Sequence, residues 1–303
     1  LALESRGQGQ TGVDGSPFKL SIANALWGQE GSTFLPAFLD TIAVNYGAGV
    51  HPLDFLHSPD PSRITINDWV AKETSNKILD LIPEGAINSD TRLVLTNAVY
   101  FNASWATAFE QSATKDAAFT LADGSTVQAP TMHGGFEGEG FSDDTMQAVQ
   151  IEYAGDELSM VVMQPKDLAA FESSLSPAVL DGVLAKLAPA YITLSLPKWK
   201  VTDSHGLSAP LKALGMTDAF GDADFSGMDG AKDFVIQDVL HKAYIAVDEK
   251  GTEAAAATAV VIGTTSIESN QLSLSFDHPY LYVIRDNATG AVVFMGRISD
   301  PTK

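Results

Sequence analysis

Leu93-Val-Leu-Thr-Asn-Ala-Val-Tyr-Phe101 is a nearly continuous apolar run. A strand with one solvated face alternates apolar and polar residues; this one does not, so it reads as a strand covered on both faces. Such a strand needs a sheet with further elements packed above and below it. A chain of 303 residues is long enough to bury that core. Left uncovered, the same strand would form an exposed, aggregation-prone surface.

Around it the chain alternates between two periodicities. Phe18–Leu26 reads as a strand, Ser32–Tyr46 as a helix and Pro52–Phe55 as a short extended piece. Ser62–Ile82 is predicted to be the clearest helix, with Ile66, Trp69, Val70, Ile78, Leu79 and Ile82 in one stripe and Pro83 and Gly85 ending it. Phe119–Gly124 and Val127–Met132 form a hairpin at Asp123-Gly124, and Gly134, Gly135, Gly138 and Gly140 read as loop. Met146–Tyr153 and Leu158–Gln164 flank a second hairpin at Gly155-Asp156. Leu168–Leu187 reads as helix, Tyr191–Val201 as strand and Gly206–Leu214 as a short helix. Phe234–Val247, Leu272–Phe276, Tyr280–Asp286 and Val292–Arg297 complete the strands. Without repeats or a linker, this mixture is a sheet-dominated α+β fold in a single domain, residues 1–303.

Composition excludes several functions. Lys+Arg number 18 against 38 Asp+Glu, a net charge of -20. No nucleic-acid or anionic-membrane partner is expected, since both need clustered positive charge. No apolar run approaches the ~20 residues of a spanning helix. There is no cysteine, so neither a disulfide nor a thiolate nucleophile. The six histidines show no metal-binding spacing, and there is no phosphate-binding loop or nucleophile elbow. The expectation is therefore no catalytic residue, no metal and no cofactor: not an enzyme.

Asp248–Ser266 stands apart. After Asp248-Glu-Lys-Gly-Thr-Glu253 come small residues, with nothing bulky before Val260. The residues allow two readings. One is an exposed Ala-rich linker or helix, Ala being the best helix former. The other is a loop able to become a strand, with Thr252, Ala254, Ala256, Thr258 and Val260 on one small face that slips between existing strands.

Glu249-Lys-Gly-Thr-Glu-Ala-Ala-Ala-Ala-Thr258 resembles the hinge of the reactive-centre loop in serpins, the suicide inhibitors of serine proteases. Leu95-Thr-Asn-Ala-Val-Tyr-Phe-Asn-Ala-Ser-Trp105 resembles that family's central-sheet segment, and Phe276-Asp-His-Pro-Tyr-Leu-Tyr-Val-Ile-Arg-Asp286 its C-terminal signature, with Tyr280 where Phe is usual. The resemblance runs from Phe18 to Lys303. It implies three β-sheets, helices around a large central sheet, and an exposed reactive-centre loop near the C-terminus. It also implies that roughly a hundred residues of first helices and an early strand are missing before Phe18, so the chain is expected to be a fragment.

The same resemblance assigns roles. Glu249, Lys250, Gly251, Thr252, Glu253, Ala254, Ala255, Ala256, Ala257 and Thr258 become the hinge, with Thr252 on the exposed loop until it enters the sheet first. Asn97 and His241 fall in the polar shutter; Trp105, Lys198 and Glu249 fall in the breach, Lys198 as ion-pair partner of Glu249. Counting seventeen residues from Glu249 places the reactive bond at Thr265-Ser266; counting back from the Phe276 signature gives Glu268-Ser269 instead, and Ile262 is the fallback, but insertion length constrains the hinge count more. Its small, uncharged residue implies an elastase-like or subtilisin-like target. The partner is a serine protease held covalently. The inhibitor is a monomer with a polymerisation liability, extracellular or secreted. The alternative is a non-inhibitory serpin with a chaperone, carrier or storage role, which the small hinge disfavours.

Overall fold

The structure is a computed structural model. It describes residues 18–232, 234, 236, 238–252 and 270–303. The strands are β1 (Lys19–Gln29), β2 (Val50–Leu53), β3 (Leu93–Ser104), β4 (Lys115–Thr120), β5 (Thr126–Ser142), β6 (Met146–Glu152), β7 (Leu158–Pro165), β8 (Ala188–Pro197), β9 (Trp199–Gly206), β10 (Leu240–Asp248), β11 (Gly251–Thr252), β12 (Gln271–Ser275), β13 (Tyr280–Asp286) and β14 (Val292–Ile298). The helices are α1 (Pro36–Tyr46), α2 (Pro59–Glu73), α3 (Leu168–Ser174), α4 (Pro177–Leu184), α5 (Ser208–Ala213) and α6 (Ser226–Asp229). The fold is thus α+β. Among the described residues, no helix is long and apolar enough to cross a membrane. The chain divides into two compact units, Leu20–Phe101 with Thr202–Tyr244, and Asn102–Val201 with Ile245–Lys303.

In the first unit, β1 lies between β2 and β3, and β3 pairs in parallel with β10 from Leu240 opposite Thr96 to Tyr244 opposite Tyr100. Trp27, Phe55, Ile66, Val70, Ile78, Ile82 and Ala98 fill the core. The long helix read from the sequence over Ser62–Ile82 stops at Glu73. Ser75 and Asn76 take left-handed φ of 54° and 60°, which short polar residues tolerate. The Thr74 hydroxyl donates to the Val70 carbonyl at 2.7 Å and accepts from the Ile78 amide at 3.2 Å. Ile78 and Ile82 reach the core from this turn, where the Asn67 amide exchanges two 2.9 Å hydrogen bonds with the Ile82 backbone. Leu79 is exposed.

The second unit holds an eight-stranded sheet in the order β12-β8-β5-β6-β7-β13-β14, with β4 on β5. Seventeen-residue β5 pairs with β4, β8 and β6 along its length. Hydrogen bonds therefore run unbroken from β12 to β14. The glycines read as loop, Gly134, Gly135, Gly138 and Gly140, lie inside β5. A Cβ at Gly134 would come 2.7 Å from the Phe109 ring, and one at Gly135 2.6 Å from the Tyr191 hydroxyl. Their role is close packing against aromatic side chains. Leu168–Leu187 is broken into α3 and α4 because Pro177 starts a new helix, capped by the Ser176 hydroxyl accepting from the Val179 amide at 3.3 Å.

Candidate functional site

The site is built where β10 ends in the second unit. Asp248 closes the strand, and its Oδ1 accepts from the Lys250 amide at 2.9 Å, so Glu249 and Lys250 form a tight turn. The chain returns as β11. This short strand pairs antiparallel with β10 on one side, Val247 opposite Thr252, and with β3 on the other, Thr252 opposite Ala103. Gly251 passes so close to β3 that a Cβ there would lie 2.1 Å from the Ala103 carbonyl oxygen and 2.6 Å from the Ser104 Cα. Both are backbone atoms, which cannot swing aside, so only glycine fits.

Trp105 grips the turn from below. Its amide donates to the Lys250 carbonyl at 2.8 Å and its indole N–H to the Asp248 carbonyl at 2.9 Å. The Phe109 amide donates to the Glu249 carbonyl at 2.7 Å. The Trp105 ring stacks on Tyr153, with centroids 4.6 Å apart and planes at 17°. The Tyr153 hydroxyl lies 2.7 Å from the Thr252 hydroxyl.

Glu249 points the other way. One carboxylate oxygen accepts from the Lys198 ammonium at 2.8 Å, the other from the Thr114 hydroxyl at 2.7 Å. Burial pushes its pKa up, but hydrogen bonds from Lys198 and Thr114 and the Lys198 charge outweigh that and hold it below the ordinary 4.5. The neighbouring Asp248 goes the other way. Burial raises it above 3.8, the Glu249 charge adds to this, and the Lys250 amide offsets it in part.

A second polar group lies in the first unit. His241 stands opposite Asn97 in the β3–β10 register, and its Nδ1–H donates to the Asn97 side-chain Oδ1 at 2.6 Å. The Asn97 amide in turn donates to the Asn24 side-chain oxygen at 2.6 Å. Burial lowers the His241 pKa from 6.5; the His205 charge adds to this and Asp203 opposes it.

The structure therefore gathers Trp105, Lys198, Glu249, Lys250, Gly251 and Thr252 in one unit and pairs Asn97 with His241 in the other. Glu253, Ala254, Ala255, Ala256, Ala257, Thr258, Thr265 and Ser266 lie outside the described residues. One expectation is corrected: Thr252, read as exposed until insertion, is 0 % exposed here. Two flanking strands supply hydrogen bonds to its backbone, and Gly251 lets it approach them. Sequence reasoning missed Thr114, Tyr153 and Asn24. Nothing local marks them, because their roles come from partners 135, 99 and 73 residues away. Among the described residues, no group of three or more His, Cys, Asp or Glu side chains could hold a metal ion.

Residues 5–301 match the family model described as Serpin (serine protease inhibitor). The chain belongs to the serpin family. It is 37% identical over 292 residues to Serpin B3 of Homo sapiens, covering 94% of this serpin and 75% of that protein. Against the leukocyte elastase inhibitor of Homo sapiens it is 36% identical over 300 residues, covering 95% of this serpin and 79% of the relative. Among solved structures, thyroxine-binding globulin complexed with thyroxine matches with a TM-score of 0.82 at 26% identity, covering 94% of this serpin and 77% of that chain. The family is one of protease inhibitors, not of enzymes.

Proposed function

We propose that this serpin, a single domain over residues 1–303, is a suicide inhibitor of serine proteases. The carrying observation is β11: Gly251 and Thr252 pair with β10 on one side and β3 on the other. Insertion of the loop then extends a strand already begun. The residues that would follow, Glu253-Ala-Ala-Ala-Ala-Thr258, are small enough to continue it.

The target protease attacks the Thr265 carbonyl. A bond forms between its serine oxygen and the carbonyl carbon, the Thr265–Ser266 peptide bond breaks, and the freed amine of Ser266 takes up a proton. The serpin contributes no catalytic group. Release of the loop lets the hinge add to the sheet, gaining about 0.5–1.5 kcal/mol per new hydrogen bond, and the uncleaved fold is a kinetic trap. Deacylation loses the race if insertion distorts the acylated protease first. Thr265 favours an elastase-like or subtilisin-like target, and the likeness to the leukocyte elastase inhibitor supports the former. The protein acts as an extracellular monomer, and its open sheet makes polymerisation its failure mode.

A carrier role is the second reading, favoured by the likeness to thyroxine-binding globulin. Incubation with an elastase-like protease decides between them. The proposal expects a complex stable in denaturant and a cut at Thr265-Ser266 by mass spectrometry. Cleavage without any covalent complex, across a panel of serine proteases, would leave the carrier reading.

A further inference from the structure

We propose that Tyr153 is a positioning residue for the hinge, its hydroxyl latching Thr252 between β3 and β10 before any cleavage; this rests on the reading that insertion proceeds through Thr252. Both side chains are 0 % exposed, and their hydroxyl oxygens lie 2.7 Å apart. Thr252 is the first side chain past Gly251, a position that admits none. It is therefore the first group of the loop able to report, through its own chemistry, that the hinge is seated.

Tyr153 is held firmly enough to serve. Its ring stacks on Trp105, and its backbone bridges to Trp105 and accepts no freedom from the hairpin that follows, since its amide donates to the Leu158 carbonyl at 3.0 Å. Burial pushes the phenol well above its ordinary value of 10, with the Thr252 hydrogen bond opposing, so the proton needed for the hydroxyl pair stays in place. Withdrawing Thr252 would cost Tyr153 this partner in a site without solvent, and a buried hydroxyl that loses a hydrogen bond is expensive. The latch thus biases the resting molecule toward a seated hinge and shortens the path that competes with deacylation.

Hydrogen exchange of the Gly251–Thr252 amides in the uncleaved full chain tests this. Tyr153→Phe keeps the stack on Trp105 and removes only the hydroxyl. Exchange should quicken about three- to tenfold, the equivalent of one ordinary hydrogen bond. Thr252→Val, close in shape, should do the same. The double variant should quicken exchange by less than the two single effects combined, because both substitutions remove the same hydrogen bond. Unchanged exchange in both single variants, or strictly additive losses in the double variant, would overturn the latch. With an elastase-like protease, Tyr153→Phe should also raise the number of inhibitor molecules consumed per protease trapped. If no protease is trapped by the parent chain, the inhibitory reading fails, while the exchange result still decides the latch.

Discussion

The Lys198 ammonium lies 2.8 Å from the Glu249 carboxylate, with Glu249 only 7% exposed and Lys198 33%. The pair ties the turn between β10 and β11 to the residue between β8 and β9. Its worth falls between the ~0–1 kcal/mol of an exposed pair and the ~3–5 kcal/mol lost on breaking a buried one. Glu249→Lys replaces attraction by repulsion and strands the Thr114 hydroxyl. We expect a lower melting temperature and faster polymerisation on mild heating. Polymerisation kinetics equal to the parent's would remove the pair from the account.

The two adjacent carboxylates should respond oppositely to acid. Glu249 is held below 4.5 in the fold. Its stabilisation is complete above that value and is lost as pH falls through 4.5 toward the folded value. Asp248 is raised above 3.8, so it opposes folding above its folded value and is relieved as pH falls through it. Melting curves from pH 7 to 3 should therefore show Glu249→Gln flattening the acid loss and Asp248→Asn steepening it. The same slope in both variants would contradict these assignments.

At Gly251 the limit is steric. Gly251→Ala puts a methyl group 2.1 Å from the Ala103 carbonyl oxygen, and neither strand can yield without breaking its ladder. The variant should expel β11, at a cost of about 1–3 kcal/mol typical of overpacking. Limited proteolysis should cut the hinge several-fold faster than in the parent. A normally protected hinge would show that β3 moves aside.

Thr252→Arg should act before cleavage, not only after it. The site is fully buried, and an unpaired guanidinium there costs several kcal/mol. The expected outcome is an unseated hinge in the uncleaved protein, followed by cleavage at the parental rate with release of active protease. Trapping at parental stoichiometry would rule out insertion through this residue.

His241 gives the first unit a pH response. Its folded pKa lies below 6.5, so its contribution is complete above 6.5 and is lost as pH falls through 6.5 toward the folded value. Amides of β3 and β10 near Asn97 should exchange faster at pH 5 than at pH 7 after correction for intrinsic rates. In His241→Gln this excess should vanish; its persistence would place the sensitivity elsewhere.

The sequence alone determined much of this. Period-two and continuous apolar runs located most strands, because burial of one face or two writes itself into the residue order; the small residues after Gly251 left a linker and an inserting loop both open, and only the family resemblance reads them as a hinge. Helix ends and glycine roles were not. Ser62–Ile82 kept its apolar spacing past Glu73 because Ile78 and Ile82 reach the core from a turn, a geometry that helical spacing mimics. The glycines of β5 read as loop because the aromatic rings needing their missing side chains are remote in sequence. The buried state of Thr252 was decided by tertiary structure alone. It depends on strands β3 and β10 separating by one strand's width at their ends, and on Tyr153, 99 residues away, presenting a hydroxyl there.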